Sequence, residues 1–434
     1  MLDAHCRPHS VIPSLLLALA VLEAPAEAGV TTLASLAPDG AQGNGHSYNG
    51  TISPTGRFVV FQSSCGNFDA ADPIVGSTNI YLRDVKKDTT RLASASSAGL
   101  LSDGYDAFPT VSRNGRFVVW ESNATNLVEG DTNSKFDIFV RDMKAGVTTR
   151  VSVATDGTQG DADSLNPSVS DNGRWIAFDS SATNLVEGDT NARQDCFLHD
   201  RKTGLTTRTS LDEQGNQVSR NSLAPELSGN GRYMVILSEA GLVAGDRGVA
   251  FDVYVRDLKT GALSWASPNT SGAEGSAGCG SASISSNGRY VAFDSSANDL
   301  VEGDTNGISD IFVRDRKAAS TRRVSLGPAG AEADGHSTRP HISGNGKAVV
   351  FESFATTLVA GDANGKVDVI VVDLTQGTTT LASVSSGGAQ ADEDCSKTSI
   401  TRNARHVSWF STSALLVAGD ANAATDVFIR DRKE

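Results

Sequence analysis

The amino-acid sequence predicts an all-β fold, a seven-bladed β-propeller whose blades are four-stranded antiparallel sheets of about 58 residues. The repeat is seen first in the aspartates that end one strand of each copy, namely Asp84, Asp142, Asp200, Asp257, Asp315, Asp373 and Asp431. Each copy also holds four strand signals separated by turn residues. Removing 28 residues from the chain of 434 leaves 406, which is seven times 58. Seven such repeats are typical of a closed ring.

Residues 1–28 have the pattern of an export signal. The run from Val11 to Leu22 is apolar, Arg7 precedes it, and Ala26-Glu27-Ala28 forms an A-x-A cleavage pattern. The run is too short to span a bilayer, and we expect no transmembrane segment elsewhere. The sequence therefore predicts a signal peptide over 1–28, a single propeller domain over 29–434, and a periplasmic or extracellular protein.

The third copy shows the four predicted strands of a blade, which we name a to d. They are Asn166–Ser170, Arg174–Ser180, Asp195–Asp200 and Leu205–Leu211. Strands b and c are nearly continuous apolar runs, as expected for strands covered on both faces. The a–b and c–d links are short turns, whereas the b–c and d–a links are longer. The longer links should share one side of the ring, which we call the long-loop face.

The two ends of the domain complete each other. Val30–Leu36 resembles a d strand, and Asp426–Asp431 resembles a c strand. The N-terminal strand is therefore predicted to pair with the last one and complete blade 7. Such closure removes exposed sheet edges, which are aggregation hazards.

Two stretches carry a resemblance to a known repeat family. They are "SGNGKAVVFES", followed by "VDVIVVDL", and "SSNGRYVAFDS", followed by "SDIFVRDR". Both resemble the PD40, or WD40-like, repeats of TolB-like propeller proteins, and the resemblance covers essentially all of 29–434. It implies a propeller that serves as a scaffold, as a gating domain of a peptidase, or as a polysaccharide lyase.

Charge and cysteine content narrow the expected partners. The formal net charge is −14, which repels nucleic acid and anionic membranes and attracts cations or basic partners. Five cysteines are too few for a disulfide framework. Cys65 in blade 1 and Cys395 in blade 7 lie on neighbouring blades of a closed ring, so a disulfide between them is a candidate.

An Asp-x-Asn-x-x-x-Asp motif recurs in the b–c link and has two interpretations. Its five complete copies are Asp131, Asn133, Asp137; Asp189, Asn191, Asp195; Asp304, Asn306, Asp310; Asp362, Asn364, Asp368; and Asp420, Asn422, Asp426. Two carboxylates, an amide and a loop carbonyl are ligands that calcium takes. The same side chains also fold loops back on themselves in Asx turns. The motif alone leaves both open.

A second set of polar residues precedes strand a, where we expect the mouth of the central channel. These channel-mouth candidates are His46, Tyr105, Asp163, Asn221, His336 and Asp394. His, Tyr and carboxylate side chains around a channel could abstract a proton, as the resemblance to propeller-type lyases implies. Alternatively, they are polar because loop starts are solvated.

These observations predict an exported, monomeric binding or scaffold protein. Its long-loop face would engage a protein or a glycan, with calcium as the candidate cofactor. The alternative is a carbohydrate-active enzyme, similar to a polysaccharide lyase, that uses the histidines and the tyrosine at the channel mouth.

Overall fold

The computed structural model describes residues 29–73, 75–248 and 250–433. It confirms the predicted fold, because these residues form seven four-stranded antiparallel sheets arranged as a propeller. The predicted signal peptide over 1–28 lies outside the described residues. No helix in the described ranges is long and apolar enough to cross a membrane.

Strands a and b form the inner half of each blade. From blade 1 to blade 7, the a strands are β2 (Ser47–Ile52), β6 (Asp106–Val111), β10 (Ser164–Val169), β14 (Ser222–Leu227), β18 (Cys279–Ile284), β22 (Ser337–Ile342) and β26 (Cys395–Ile400). The b strands are β3 (Phe58–Ser63), β7 (Phe117–Ser122), β11 (Trp175–Ser180), β15 (Tyr233–Ser238), β19 (Tyr290–Ser295), β23 (Ala348–Ser353) and β27 (His406–Ser411). Residues of the a strands line the central cavity.

Strands c and d form the outer half. The c strands are β4 (Asn79–Asp84), β8 (Asp137–Asp142), β12 (Asp195–Asp200), β16 (Asp252–Asp257), β20 (Asp310–Asp315), β24 (Asp368–Asp373) and β28 (Asp426–Asp431). The d strands are β5 (Thr89–Leu92), β9 (Val147–Arg150), β13 (Leu205–Arg208), β17 (Leu263–Trp265), β21 (Ser320–Arg323), β25 (Thr378–Leu381) and, for blade 7, β1 (Val30–Leu33). A short 3-10 turn, Pro328–Gly330, lies in a d–a link.

The predicted closure of the ring is confirmed. Strand β1 pairs with β28, with Val30 opposite Asp431 and Leu33 opposite Phe428. The Thr31 hydroxyl also donates to the carbonyl of Val384 at 2.6 Å, which ties this strand to blade 6. The two ends of the domain therefore hold one sheet together.

The core lies between neighbouring blades, because strands b and c are apolar on both faces. Trp120 of blade 2, for example, is fully buried and packs with Val60 and Leu82 of blade 1. Its ring also stacks on Phe139 at 6.0 Å between centroids. Each blade buries its neighbour's face, so the blades stabilise one another.

The structure explains why a glycine recurs in the a–b turns and an aspartate at the end of strand c. Gly231 of the a–b turn has a φ of +68°, and a Cβ there would lie 2.7 Å from the Trp175 ring of the preceding blade. Asp142 accepts the backbone N–H of Lys144 at 3.0 Å and forms an ion pair with Arg116 at 2.6 Å. The aspartate that ends strand c therefore caps the c–d turn.

The structure corrects the predicted disulfide, because Cys65 and Cys395 are both buried free thiols. Cys65 packs beside Phe68 in the core layer between blades 7 and 1. Cys395 packs beside Trp409 in the layer between blades 6 and 7. The sheet of blade 7 lies between these two layers, so the sulfur atoms cannot meet.

Candidate functional site

The b–c links bring each Asp-x-Asn motif together on the long-loop face. In blade 2, Nη1 of Arg150 lies 3.0 Å from Asp131 Oδ1 and 3.1 Å from Asp137 Oδ2. Asn133 Nδ2 donates to the same Asp137 oxygen at 3.0 Å. A guanidinium from the end of strand d therefore lies between the two carboxylates of the motif.

Blades 3 and 5 repeat this arrangement with Arg208 and Arg323. The distances are 3.2 Å from Arg208 to Asp189, 3.6 Å from Arg208 to Asp195, 2.9 Å from Arg323 to Asp304, and 3.1 Å from Arg323 to Asp310. In these three blades the chain itself supplies the positive charge between the carboxylates. The calcium hypothesis does not account for these arginines, which lie in strand d, outside the Asp-x-Asn-x-x-x-Asp motif.

The motif asparagines also form Asx turns. Asn133 Oδ1 accepts the backbone N–H of Lys135 at 3.0 Å. Equivalent bonds run to Arg193, Ile308, Lys366 and Ala424. The loop-folding geometry is therefore present in all five complete copies.

Blades 6 and 7 have leucine where blades 2, 3 and 5 have the arginine. In blade 7, Gln42 Nε2 donates to Asp420 Oδ1 at 3.1 Å, and Asn422 Nδ2 donates to Asp426 Oδ2 at 2.9 Å. Neutral amides thus satisfy both carboxylates there.

Blade 6 differs from blade 7, because its glutamine, Gln390, donates instead to the carbonyl of Gly361 at 2.7 Å. Asp362 Oδ1 and Asp368 Oδ2 are buried and have no hydrogen-bond partner among the described residues. Burial, together with the neighbouring carboxylate of Asp362, raises the pKa of Asp368 to about 6. Ser383 donates to the other oxygen of Asp368, and Asn364 lowers the pKa of both aspartates, but no ion pair in the described residues gives this pair of carboxylates a positive charge.

Blade 4 holds three carboxylates at the corresponding place. Oxygens of Asp246, Asp252 and Glu274 lie within 4.8 Å of one another, and no other such group of three acidic, histidine or cysteine side chains occurs in the described ranges. Trp265 replaces the arginine and donates to Asp252 at 3.0 Å. Arg247 donates to Glu274 at 3.1 Å from the solvent side.

The structure does not bring the channel-mouth candidates together. Five of them accept a backbone N–H from the preceding blade: His46 from Thr425, Asp163 from Phe136, Asn221 from Gln194, His336 from Ser309, and Asp394 from Val367. The hydroxyl of Tyr105 accepts from Gln62 at 2.9 Å. Within the described residues, no hydrogen bond joins two members of the set. They connect neighbouring blades.

The third residue of each a strand faces the channel instead. These wall residues are Asn49, Phe108, Asn166, Ala224, Ser281, Arg339 and Lys397. A β-bulge interrupts every a strand at this point, and all of the wall residues except Ser281 have a positive φ. Bulges re-aim side chains. All but Arg339 line a cavity of about 390 Å³.

Two cations and one aromatic ring meet on this wall. Lys397 Nζ lies 4.7 Å from the centre of the Phe108 ring, which is 40% exposed. Arg339 of the neighbouring blade 6 forms an ion pair with Glu352 at 3.0 Å and keeps much of its side chain exposed. Burial, and then the charge of Arg339, lower the pKa of Lys397. Two cationic side chains therefore lie on the wall between blades 6 and 2, with the carboxylate of Glu352 beside both of them.

Buried carboxylates support the wall from behind. Glu121 accepts the backbone N–H of Asn166 at 2.9 Å, and Asp179 accepts that of Ala224 at 2.7 Å. Burial raises the pKa of Glu121 to about 7 and that of Asp179 to about 6. Sequence reasoning missed them, although an acidic residue near the end of an otherwise apolar b strand was an available signal.

The a–b turns join into a ring at the other end of the channel. Backbone bonds link successive turns, such as Asp171 N to Gly229 O at 3.0 Å and Arg402 N to Pro54 O at 3.1 Å. Arg402 also reaches Asp171 across the channel, at 3.6 Å. A Cβ at Gly229 would lie 2.8 Å from Ser286 Oγ, so the turns are closely packed there. Backbone hydrogen bonds and the Arg402–Asp171 ion pair therefore hold the a–b turns close together at this end of the channel.

No protein-family model and no curated protein matches the sequence. An oligogalacturonate lyase from Vibrio parahaemolyticus is similar in structure, with 12% identity, 90% of each chain covered and a TM-score of 0.54. The β-propeller domain of the Trilobed protease from Pyrococcus furiosus is 10% identical, with 88% of this chain and 95% of that chain covered and a TM-score of 0.53. TolB from Acinetobacter baumannii is 12% identical, with 77% and 62% covered and a TM-score of 0.40. The lyase and the protease domain show that the chain shares the β-propeller fold.

Proposed function

We propose that this protein is a glycan-binding propeller, and that it binds an acidic oligosaccharide in the channel at the long-loop end. The observation that carries the proposal is the contact of Lys397 with Phe108 on the wall of the central cavity, with the Arg339 guanidinium close enough to act on Lys397. Cations attract the carboxylates of acidic sugars, and the planar guanidinium can bind a carboxylate through two parallel hydrogen bonds.

The remaining wall residues suit a sugar as well. Asn49 and Asn166 carry amides that both donate to and accept from hydroxyl groups. The exposed face of Phe108 offers an apolar surface for a sugar ring. Because the a–b turns meet closely at the opposite end, a ligand would enter from the long-loop face. A concave site with a few convergent polar groups is the usual form of a ligand pocket.

The negative net charge of the chain makes the two cationic side chains important for binding an anion. The chain has a net charge of −14, which disfavours the approach of an anion to most of its surface. Binding of an acidic glycan would therefore depend on Lys397 and Arg339, and a neutral glycan would not need them. The structural similarity to an oligogalacturonate lyase supports the choice of oligogalacturonate as the first ligand to test.

The polysaccharide lyase alternative has less support from the geometry. His46 and His336 accept backbone N–H groups from neighbouring blades, and Tyr105 accepts from Gln62. These bonds connect neighbouring blades, and none of them joins two of the three side chains that the alternative would use. We therefore favour binding over catalysis, and cleavage becomes one outcome of the test.

The test is calorimetric titration of the full-length protein with oligogalacturonate and with a neutral oligosaccharide of equal length. We expect binding of the acidic ligand only, and a loss of about tenfold or more in affinity for Lys397→Met, which corresponds to about 1.4 kcal/mol. Lys144→Met is the matched control, since it removes the same charge from an exposed c–d turn. Equal binding by wild type and Lys397→Met would refute the channel site. Release of an unsaturated, ultraviolet-absorbing product would favour the lyase.

Export is part of the same proposal, and it rests on the leader pattern of residues 1–28. An exported protein would encounter acidic glycans outside the cytoplasm. Mass spectrometry of the extracytoplasmic fraction should find a chain that begins at Gly29. A chain that retains residues 1–28 in the cytoplasm would contradict export.

A further inference from the structure

We propose that blade 6 contains a cation site, in which Asp362 and Asp368 bind a divalent metal ion, calcium in particular. Asp368 is fully buried, yet its Oδ2 has no hydrogen-bond partner among the described residues. Asp362 Oδ1 is buried and unpartnered in the same way. A buried carboxylate oxygen with no compensating group is costly, so this place in the fold calls for a positive charge.

In other blades, a positively charged group lies between the two equivalent carboxylates. In blades 2, 3 and 5, a guanidinium at the end of strand d lies 2.9–3.6 Å from both aspartates. In blade 6 the same strand position is Leu381, which carries no charge. The repeat therefore provides an internal comparison, in which a bound cation replaces the missing arginine.

The other blades without this arginine satisfy their aspartates differently. In blade 7, amide groups of Gln42 and Asn422 donate to the two carboxylates. In blade 1, Asn79 stands in place of the second aspartate, and Asp72 Oδ2 accepts from Tyr81 at 2.5 Å and from Asn79 at 2.8 Å. Asp72 Oδ1 is buried without a hydrogen-bond partner among the described residues, but this blade has a single carboxylate rather than a pair. Blade 6 lacks these donors to Asp362 Oδ1 and Asp368 Oδ2. The proposal therefore applies to blade 6 specifically and not to every copy of the motif.

The chemistry of the site favours calcium over magnesium. Both protein ligands are carboxylate oxygens, and the adjoining Gly361 and Ala363 are exposed, so water can complete the coordination. Calcium accepts six to eight oxygens in a flexible arrangement, whereas magnesium demands a near-ideal octahedron. With two protein carboxylates, the affinity should fall in the range of extracellular calcium modules, a Kd of roughly 10⁻⁴–10⁻³ M.

Binding would also stabilise the contact between blades 6 and 7. Asn364 Nδ2 donates to the carbonyl of Ala391 at 3.1 Å, which connects the b–c link of blade 6 to the link that leads into blade 7. A cation held by Asp362 and Asp368 would fix the same link. Calcium should therefore raise the melting temperature of the protein, because a ligand that binds only the folded state stabilises it.

The first test compares calcium titration of three full-length proteins by calorimetry: wild type, Asp362→Asn and Asp420→Asn. Asp362→Asn should lose one equivalent of bound calcium. Asp420→Asn is the matched control from blade 7, and it should bind as wild type does. Calcium bound by the three carboxylates of blade 4 would remain in both variants. Unchanged calcium stoichiometry in Asp362→Asn would overturn the proposal.

A second variant tests the exchange of metal for arginine. Leu381→Arg gives blade 6 the residue that blades 2, 3 and 5 have, so it should raise the melting temperature in chelator and remove the same calcium equivalent. A Leu381→Arg protein that folds and binds as much calcium as wild type would contradict the proposal. If this variant does not fold, the isosteric Asp362→Asn decides the question alone.

Discussion

Six wall residues of the channel have a left-handed backbone although none is glycine. Ala224 is the simplest case, with a φ of 50° and a backbone N–H that donates to Asp179. A left-handed conformation costs an L-residue roughly 1–2 kcal/mol. The buried carboxylate behind the wall compensates for part of that cost. Strain at these positions fits their role in aiming side chains into the channel.

Replacement of Ala224 by glycine should therefore stabilise the protein. Glycine adopts a positive φ without the steric cost, although it gains more freedom in the unfolded chain. We expect Ala224→Gly to raise the free energy of unfolding by about 0.5 kcal/mol, measured by urea denaturation. Ala107→Gly, in the buried and regular part of β6, should lower it by about 1 kcal/mol. A destabilised Ala224→Gly protein would show that the strain is absent.

At the level of elements, the strand that closes blade 7 comes from the opposite end of the domain. Strand β1 covers the outer edge of β28 and contributes a buried residue, Thr31, which bonds to blade 6. Without it, β28 would present a row of unpaired backbone groups to solvent. Exposed edges of this kind pair with other chains.

Deletion of residues 1–36 should therefore destabilise the whole ring. The loss should be comparable with the stability of an ordinary domain, on the order of 5 kcal/mol or more. Thermal unfolding would measure it, and size-exclusion chromatography should show association through the free edge of β28. A protein that lacks only residues 1–28 is the control and should melt like the full chain. Equal melting of the two deletions would mean that β1 is dispensable.

The strands were predictable because the repeat is regular. Seven copies of the same spacing identify four strands and two short turns per blade, although the observed d strand of blade 3 ends at Arg208 rather than Leu211. The bulges in the a strands were not predictable, since wall residues as different as Asn49, Phe108 and Lys397 occupy them. Their shared feature is a backbone conformation, which residue type alone does not reveal.

The candidate sites were less predictable than the fold, because they depend on contacts between blades and between separate strands and links of one blade. His46 and His336 look like catalytic candidates in the sequence, but Nδ1 of each ring accepts a backbone N–H from the preceding blade. The arginines of the d strands lie 19 residues after the first aspartate of the motif, as Arg150 does after Asp131. Only the folded blade brings these residues together. The sequence alone therefore did not reveal that these arginines neutralise the motif aspartates.

For the whole molecule, buried carboxylates should dominate the pH dependence of stability. Burial raises the pKa of Asp106, Glu121 and Glu226 to about 7, and that of Asp179, Asp252, Asp368 and Asp426 to about 6. A carboxyl group with a raised pKa binds its proton more tightly in the folded state. Its stabilising effect is present at low pH and is lost as pH rises through the folded pKa. Two histidines with pKa values lowered to about 4, His199 and His341, act in the opposite direction.

The carboxylates outnumber the histidines, so the free energy of unfolding should fall as pH rises from 5 to 8. Urea denaturation at a series of pH values in the presence of chelator measures this slope. Glu226→Gln should flatten it by on the order of 2 kcal/mol over that range, because the amide oxygen can still accept from Ile284. Glu129→Gln, at an exposed position, should leave it unchanged. A stability that rises toward pH 8 would contradict this assignment.

The central claim is that the channel wall is the binding site, and a crystal structure with bound oligogalacturonate tests it most directly. We predict density for the ligand at the long-loop end of the cavity. A carboxylate should contact Lys397 and Arg339, and a sugar ring should lie near Phe108. Density confined to the outer strands or to the c–d turns, with an unoccupied wall at saturating ligand, would contradict the claim.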